Sequence, residues 1–307
     1  MLNMRLKRYS AIASLFVLLI TGLFTAKLFA VPMYPPLIEP ATEQMQPGKF
    51  IWADLFSADV DSSIAFYTKV FGWEAIKTGG TLRTGNGDIY YHLVSQGKPI
   101  AGIVSRPTVK GETDKALWIG HISTQNVQVA VDKAESLGSK VLLEPRLFGE
   151  RGTHAIIVDP QGGIVGLLRS DSGDPKDEDA ISGEWSWAQL FSINPNAAMK
   201  FYSEVIGYEA QELPQTEREN DFILSQDNTA RAGIVPLPKS LPQQDRWIGF
   251  VSVNSIDETL RKAKSMGARI IYAPRKEVFD GQLAIIADPN GALIGLIQKL
   301  DTDQVVK

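Results

Sequence analysis

The stretch DPQGGIVGLL at 159–168 returns as DPNGALIGLI at 288–297. Each opens as a tight turn. Proline fixes one backbone angle, and glycine takes the left-handed conformation that other residues avoid. Each then continues as an apolar strand. One turn-and-strand written twice predicts a duplicated body, and the rest of the chain follows that plan.

Working outward, FIWADLFSADVDSSIAFYTKVFGWEA (50–75) matches WSWAQLFSINPNAAMKFYSEVIGYEA (185–210). AGIV at 101–104 recurs at 232–235, LWIGHIS (117–123) parallels RWIGFVS (246–252), and EPR (144–146) parallels APR (273–275). Within the first copy, alternation predicts a strand over 50–57. Asp59 or Asp61 caps a helix that ends near Phe71 and Gly72. Short strands follow near 73–78, 88–96 and 99–105. The plan then restarts with a strand at 117–124, a helix at 126–137 closed by Gly138, and strands near 139–144, 153–158 and 164–169. Each copy is therefore two βαβββ units, and the fold class is α+β. The expected layout is a first domain at 49–170, an acidic linker at 171–183, a second domain at 184–300 and a tail at 301–307.

Composition narrows the chemistry. The 307 residues include no cysteine, which excludes disulfides, thiolate metal sites and a cysteine nucleophile. A net charge of −4, with no basic block outside the N-terminus, argues against nucleic acid. No Gly-rich phosphate loop of the GxxxxGK type occurs. Arg5, Lys7 and Arg8 precede the apolar run AIASLFVLLITGLFTA at 11–26, so 1–31 reads as a signal anchor or as a signal peptide cleaved after Ala30. The proline-rich stretch 32–48 is a spacer. Both readings place the body outside the cytoplasm, on the periplasmic side, with the membrane touched only through this segment. Oligomeric state is not legible.

The strand–helix starts ending in Phe66-Tyr67 and Phe201-Tyr202, followed by the Asp-Pro-x-Gly turns at 159–162 and 288–291, resemble the vicinal-oxygen-chelate superfamily. That superfamily groups glyoxalase I, extradiol dioxygenases, fosfomycin-modifying enzymes and bleomycin-resistance proteins. The resemblance covers 50–169 and 184–299, and the nearest subgroup looks like the tandem two-domain glyoxalase-like or hydroxylase-like bacterial proteins. It implies that each pair of units curls into a half-open barrel around a cavity. It also implies four metal-ligand points per barrel, which fall on Trp52, Gly102, Ile119 and Gly166 in the first copy and on Trp187, Gly233, Ile248 and Gly295 in the second. None of these is a donor, so neither a metal nor another cofactor is expected. An indole lies flat where a glycine gives it room, so Trp52 is expected to cover Gly102 or Gly166, and Trp187 its counterparts.

The candidate ligand-binding residues are Trp52, Asp54, His92, Trp118, His121 and His154. Asp54 and His121 are the candidates for acid–base chemistry, each weighed against a plain role as a satisfied interior polar group. The second copy has Phe222, Phe250 and Leu283 at the places of the three histidines, so only the first copy carries polarity inside. Glu150 and Arg151 lie on a loop that either gates the cavity or is simply solvated. Three functional readings stay open: an exported, metal-free protein binding a small organic ligand in the first-domain cavity; a glyoxalase-like or dioxygenase-like enzyme with a relocated or absent metal; and an envelope scaffold with filled cavities.

Overall fold

The computed structural model describes residues 34–81, 89–106, 116–213, 220–238 and 244–298. Residues 1–31, expected from sequence to be a signal anchor or signal peptide, and the tail 301–307 lie outside the described residues. Among the described residues no helix is long and apolar enough to cross a membrane.

The first copy runs β1 (Phe50–Ser57), α1 (Val60–Phe71), β2 (Glu74–Thr81), β3 (Ile89–Ser95), β4 (Lys98–Ser105), β5 (Ala116–Ser123), α2 (Val127–Ser136), β6 (Lys140–Leu147), β7 (Gly152–Val158) and β8 (Ile164–Ser170). The second runs β9 (Trp185–Ser192), α3 (Pro195–Ile206), β10 (Glu209–Glu212), β11 (Phe222–Gln226), β12 (Thr229–Pro236), β13 (Arg246–Val253), α4 (Ile256–Ser265), β14 (Arg269–Tyr272), β15 (Leu283–Ala287) and β16 (Leu293–Gln298). Each copy forms its own eight-stranded sheet, in the orders β2-β3-β4-β1-β5-β8-β7-β6 and β10-β11-β12-β9-β13-β16-β15-β14. The first strand of each unit pairs parallel with the last strand of that unit, and the two first strands pair antiparallel at the centre. Neither sheet closes into a barrel, which fits the half-open form expected from sequence.

Local chemistry sets the helices. Asp59 caps α1 by accepting from the Ser62 amide, and Asn126, Asn194 and Ser255 do the same for α2, α3 and α4. Gly72 and Gly207 end α1 and α3 in the left-handed conformation that a side chain would oppose.

The two sheets pack through their helix-bearing faces, α1 against α4 and α2 against α3. Leu55, Phe66, Tyr67 and Trp73 of the first copy share one apolar cluster with Val251, Leu260 and Ile286 of the second. Ile122, Val131 and Ile157 share another with Leu190, Phe201 and Tyr202. The hydrophobic core thus runs across the domain boundary.

The duplicated motifs meet at that boundary. The Asp159 carboxylate accepts from the amides of Gln161 and Gly163 inside its own turn, and its other oxygen accepts from the Tyr202 hydroxyl at 2.8 Å. The Trp247 indole donates to the same hydroxyl at 2.8 Å. The second turn mirrors this. Asp288 accepts from the amides of Asn290 and Ala292 and from the Tyr67 hydroxyl at 2.9 Å, while Trp118 donates to Tyr67 at 2.8 Å. Each turn therefore docks onto the first helix of the other domain. A hydrogen bond to a buried charged group is worth about 1.5–3 kcal/mol.

Candidate functional site

Alternation along the central strands divides their side chains. Ala53, Leu55 and Ile122 face the helices and the shared core. Trp52, Asp54 and His121 face the opposite, inner side of the first sheet. Trp118 is out of phase with His121, and its indole points the other way, onto Tyr67 and Trp185. It belongs to the domain interface, not to the inner-face site, which corrects the expectation from sequence.

The four glycines of the last strands explain one another. Asp54 pairs with Gly102, His121 with Gly166, Gln189 with Gly233 and Phe250 with Gly295. A Cβ built on any of these glycines would fall less than 3.0 Å from its partner's side chain. At Gly102 the Tyr90 hydroxyl crowds in as well. Each glycine is bare because the side chain five residues before the helix cap lies over it. This overturns the expectation that Trp52 covers Gly102 or Gly166. The indole of Trp52 is instead turned along the sheet, where its Nε1 donates to Asp54 Oδ1 at 2.9 Å and to the Tyr90 hydroxyl at 3.2 Å.

The first-domain inner face is organised around Arg151. The short 3-10 turn Gly149–Arg151 between β6 and β7 holds this residue by its backbone: its amide donates to Phe148, and its carbonyl accepts from Asp171. Arg151 is 1% exposed while Glu150 beside it is exposed, so the turn lies at the surface but sends its arginine inward. The guanidinium lies 4.0 Å from the centre of the Trp52 ring, a cation–π contact. One terminal nitrogen donates to the Tyr90 hydroxyl at 2.9 Å, and that hydroxyl donates to Asp54 Oδ1 at 2.7 Å. The other terminal nitrogen lies 3.1 Å from His92 Nε2. A buried cation is thus balanced by a buried carboxylate through one tyrosine, as low polarity demands.

The histidines divide. His92 faces Arg151. His121 Nε2 stands 3.8 Å from Asp54 Oδ2. His154 stacks on Phe148 at 4.1 Å, with His121 at 6.1 Å. Burial, reinforced by the Arg151 charge, lowers the His92 pKa to about 4. Burial, with His121 and two arginines nearby, lowers His154 to about 2. Burial lowers His121 too, against the pull of Asp54. All three are neutral near pH 7. Both ring nitrogens of His121 and both of His154 are buried without a hydrogen-bond partner, as is Arg151 Nε.

Residues of the spacer cover this face. Tyr34 packs on Phe148 and Tyr90, and Leu37 on Ile51, Trp52 and Leu168. The cover is fastened by the Glu150 amide to the Tyr34 carbonyl at 2.9 Å and by the Leu37 amide to Ser172 Oγ at 3.1 Å.

The second domain has the same scaffold with different contents. Register makes Ile223, not Phe222, the counterpart of His92, because Ile223 faces Gly233 as His92 faces Gly102. Phe250 and Leu283 replace His121 and His154 and pack with Ile248, Ile285 and Ile297. The Trp187 indole donates to Gln189 at 3.1 Å. Asp280, exposed on the matching turn Phe279–Gly281, stands where Arg151 is buried.

A family metal does not fit this set. The expected points hold Trp52, Gly102, Ile119 and Gly166, and among the described residues no group of three or more His, Asp or Glu is placed to hold an ion. The Arg151 charge, which already depresses all three histidines, opposes a second cation beside them. Arg151 was singled out only as a residue of a gating or solvated loop, and Tyr90, Phe148 and Tyr34 were not among the candidates. Tyr90 alone gave a signal, two residues before His92 on one strand face.

Comparison with known proteins gives the same fold. The chain is 26% identical over 261 residues to "Putative glyoxylase CFP32" of Mycobacterium tuberculosis, covering 84% of this chain and 98% of that one. It is 25% identical to the anthracycline biosynthesis protein DnrV of Streptomyces peucetius, covering 82% and 94%. Among solved structures it resembles the Mn(II)-bound glyoxalase of Novosphingobium aromaticivorans, with a TM-score of 0.56, 17% identity and 83% of each chain covered. The 2,3-dioxygenase LapB of Pseudomonas sp. KL28 gives a TM-score of 0.54 and 15% identity, covering 83% and 93%. The model of one superfamily matches residues 49–165 and again 186–296. Two full matches on two sheets of one topology mean that the chain belongs to the glyoxalase/bleomycin resistance protein/dioxygenase superfamily.

Proposed function

We propose that this protein holds a small organic ligand on the inner face of its first domain, without the metal of its superfamily. One observation carries the reading. The first domain buries Arg151 beside two neutral histidines whose ring nitrogens have no partner, while the second domain fills the same places with Phe250 and Leu283. Buried polar groups are normally satisfied, so four unpaired ring nitrogens in one interior call for a partner from outside the chain. The ligand is polar where it meets His121 and His154, and aromatic or aliphatic where it meets Trp52 and Phe148. The names of the relatives, a glyoxylase and anthracycline biosynthesis proteins, are in keeping with a small organic molecule.

Native mass spectrometry of the freshly purified chain tests this. A bound small molecule is expected, and it is lost when His121→Phe and His154→Leu together give the first domain the second domain's residues. A chain that carries no such mass, and whose melting point no member of a metabolite library raises, overturns the reading.

The approach of His121 to Asp54 at 3.8 Å favours a second reading, metal-free acid–base catalysis with these two groups moving the proton. Turnover of the ligand that disappears in Asp54→Asn separates it from binding alone. We further propose that segment 1–31 exports the body and that the domains divide at 171–183. A reporter enzyme active only outside the cytoplasm, fused after residue 307, tests the export.

A further inference from the structure

A separate cavity of about 500 Å³ lies between the two sheets, beside the linker; Arg151 is not in its lining, and Trp52 alone borders both places. Its walls follow the internal symmetry. Phe50 and Trp185, the first residues of β1 and β9, lie across Gly120 and Gly249, where any Cβ would meet their rings. From there Phe50 reaches Trp247 at 4.9 Å, and Trp185 reaches Trp118 at 5.3 Å, each crossing to the other domain. The three indole N–H groups are all engaged: Trp118 and Trp247 donate to the interface tyrosines, and Trp185 donates to the Ile100 carbonyl. What these four side chains offer the cavity is aromatic hydrocarbon.

Four cations stand in the same lining beside four acids, and one of them, Lys98, is held by Glu184 at 3.3 Å. Arg231 and Lys49 both bind one carboxylate of the linker, Asp177, at 2.7 and 3.0 Å. The Arg231 side chain is only 6% exposed, and its Nε has no partner. Lys49 also donates to the linker carbonyls of Pro175 and Lys176. The carboxylate that holds them is 42% exposed and sits on a polar connecting segment, so it is the least fixed member of the trio. The linker thus presents its own acid to a pair of sequestered cations at an aromatic-walled space.

We propose that this cavity is a second ligand site, for a small planar aromatic carboxylate. Its acid group takes the place of Asp177 on Arg231 and Lys49, and its ring lies among Phe50, Trp118, Trp185 and Trp247. Exchanging one carboxylate for another leaves the local charge unchanged, which a neutral or cationic aromatic does not. The linker then acts as a cover that the ligand displaces. The inference stands on different residues from the first-domain site and does not depend on it.

Calorimetric titration of the full chain with 1-naphthoate tests it, with 1-naphthalenemethanol as the uncharged probe of the same ring. One saturable site for the acid is expected, with the alcohol at least about tenfold weaker, because a charge-assisted pair is lost. Arg231→Gln weakens the acid by about tenfold or more. Asp177→Asn removes the internal competitor and tightens it, an outcome that general loosening of the linker does not produce for the acid alone. Asp177→Asn lies on an exposed segment, so it decides the matter even if Arg231→Gln does not fold. No saturable binding in Asp177→Asn, equal binding of acid and alcohol, or tighter binding of both probes in Asp177→Asn overturns the proposal.

Discussion

The inner faces of the two sheets differ in one respect that topology does not explain. Both place a side chain over a bare glycine twice, at the same register, with a tryptophan two residues before the first of them. In the first domain those side chains are Asp54 and His121, and a buried arginine completes a polar interior. In the second they are Gln189, which accepts from the Trp187 indole, and Phe250, which packs in an apolar cluster. The backbone fixes where a side chain lies, while its chemistry is left to vary. The first copy thus buries a charge where the second buries a phenylalanine, on one and the same backbone frame.

The glycines allow the harshest test of that comparison. Gly295→Glu drives a carboxylate into Phe250, inside an apolar cluster with no imidazole beside it. Overpacking of about 1–3 kcal/mol adds to several more for a buried unpaired charge, so the protein is expected to unfold at ordinary temperature. Gly166→Glu meets His121 instead, with His154 beyond it. It should melt well below the parent yet above Gly295→Glu, and zinc should raise its melting point, because two imidazoles and a carboxylate then converge. Equal melting of the two variants, with no response to zinc, would show that the first-domain interior is no more receptive than the second.

Arg151 comes next. Arg151→Met removes one partner of a buried ion set and leaves Asp54 held only by Trp52 and Tyr90, at an expected cost of about 3–5 kcal/mol. Its counterpart Asp280→Asn is on the surface, keeps a residue type that tolerates the left-handed backbone there (φ 51°), and should stay within about 0.5 kcal/mol. Denaturant titrations of both variants check this. A small loss at Arg151 would mean that the guanidinium is not the organising charge.

Acid sharpens the same contrast. The three histidines have folded pKa values below the ordinary value of 6.5, so the unfolded chain binds their protons first. Stability from each is full above pH 6.5 and declines as pH falls towards the folded value, about 4 for His92. The loss is about 1.4 kcal/mol per pH unit for each. Replacing His121 with Phe and His154 with Leu should flatten melting between pH 6.5 and 4.5. An unchanged acid slope would mean that those two rings are already protonated or solvated.

How much of this was legible follows from the type of signal. The repeat, the helix cap at Asp59 and the strand phases are local, and the sequence carried them. His121 and Asp54 were found because alternation is a local rule too. Arg151 was singled out only as a loop residue, because a three-residue turn has no period, and nothing in GER at 149–151 says that its guanidinium turns inward. The indole of Trp52 was placed on the right face over the wrong neighbour, since rotamers are settled by contacts that a sequence does not show. The partners of the Asp-Pro turns were hidden for a similar reason. Tyr67 and Asp288 are 221 residues apart, and only packing brings them together.

Those turns supply the mildest test, and one in which the two copies should agree. Tyr67→Phe and Tyr202→Phe each remove a hydroxyl that donates to a buried carboxylate, with an expected cost of about 1.5–3 kcal/mol at pH 7.5. Burial raises Asp159 to about 6 and moves Asp288 in the same direction. For these acids the folded chain holds the proton more tightly than the unfolded one. Their contribution to stability therefore grows as pH falls from about 6 towards 3.8, opposite in sign to the histidines. Once Asp159 is protonated, the Tyr202 hydroxyl no longer serves a charge, so the cost of Tyr202→Phe should shrink at pH 5 to about 1 kcal/mol, the worth of a neutral hydrogen bond. Denaturant titrations of both variants at pH 7.5 and pH 5 measure this directly. If the two costs differ by more than about 1 kcal/mol, or grow on acidification, the turns do not dock symmetrically across the boundary, and the duplicated motif holds the two domains in two different ways.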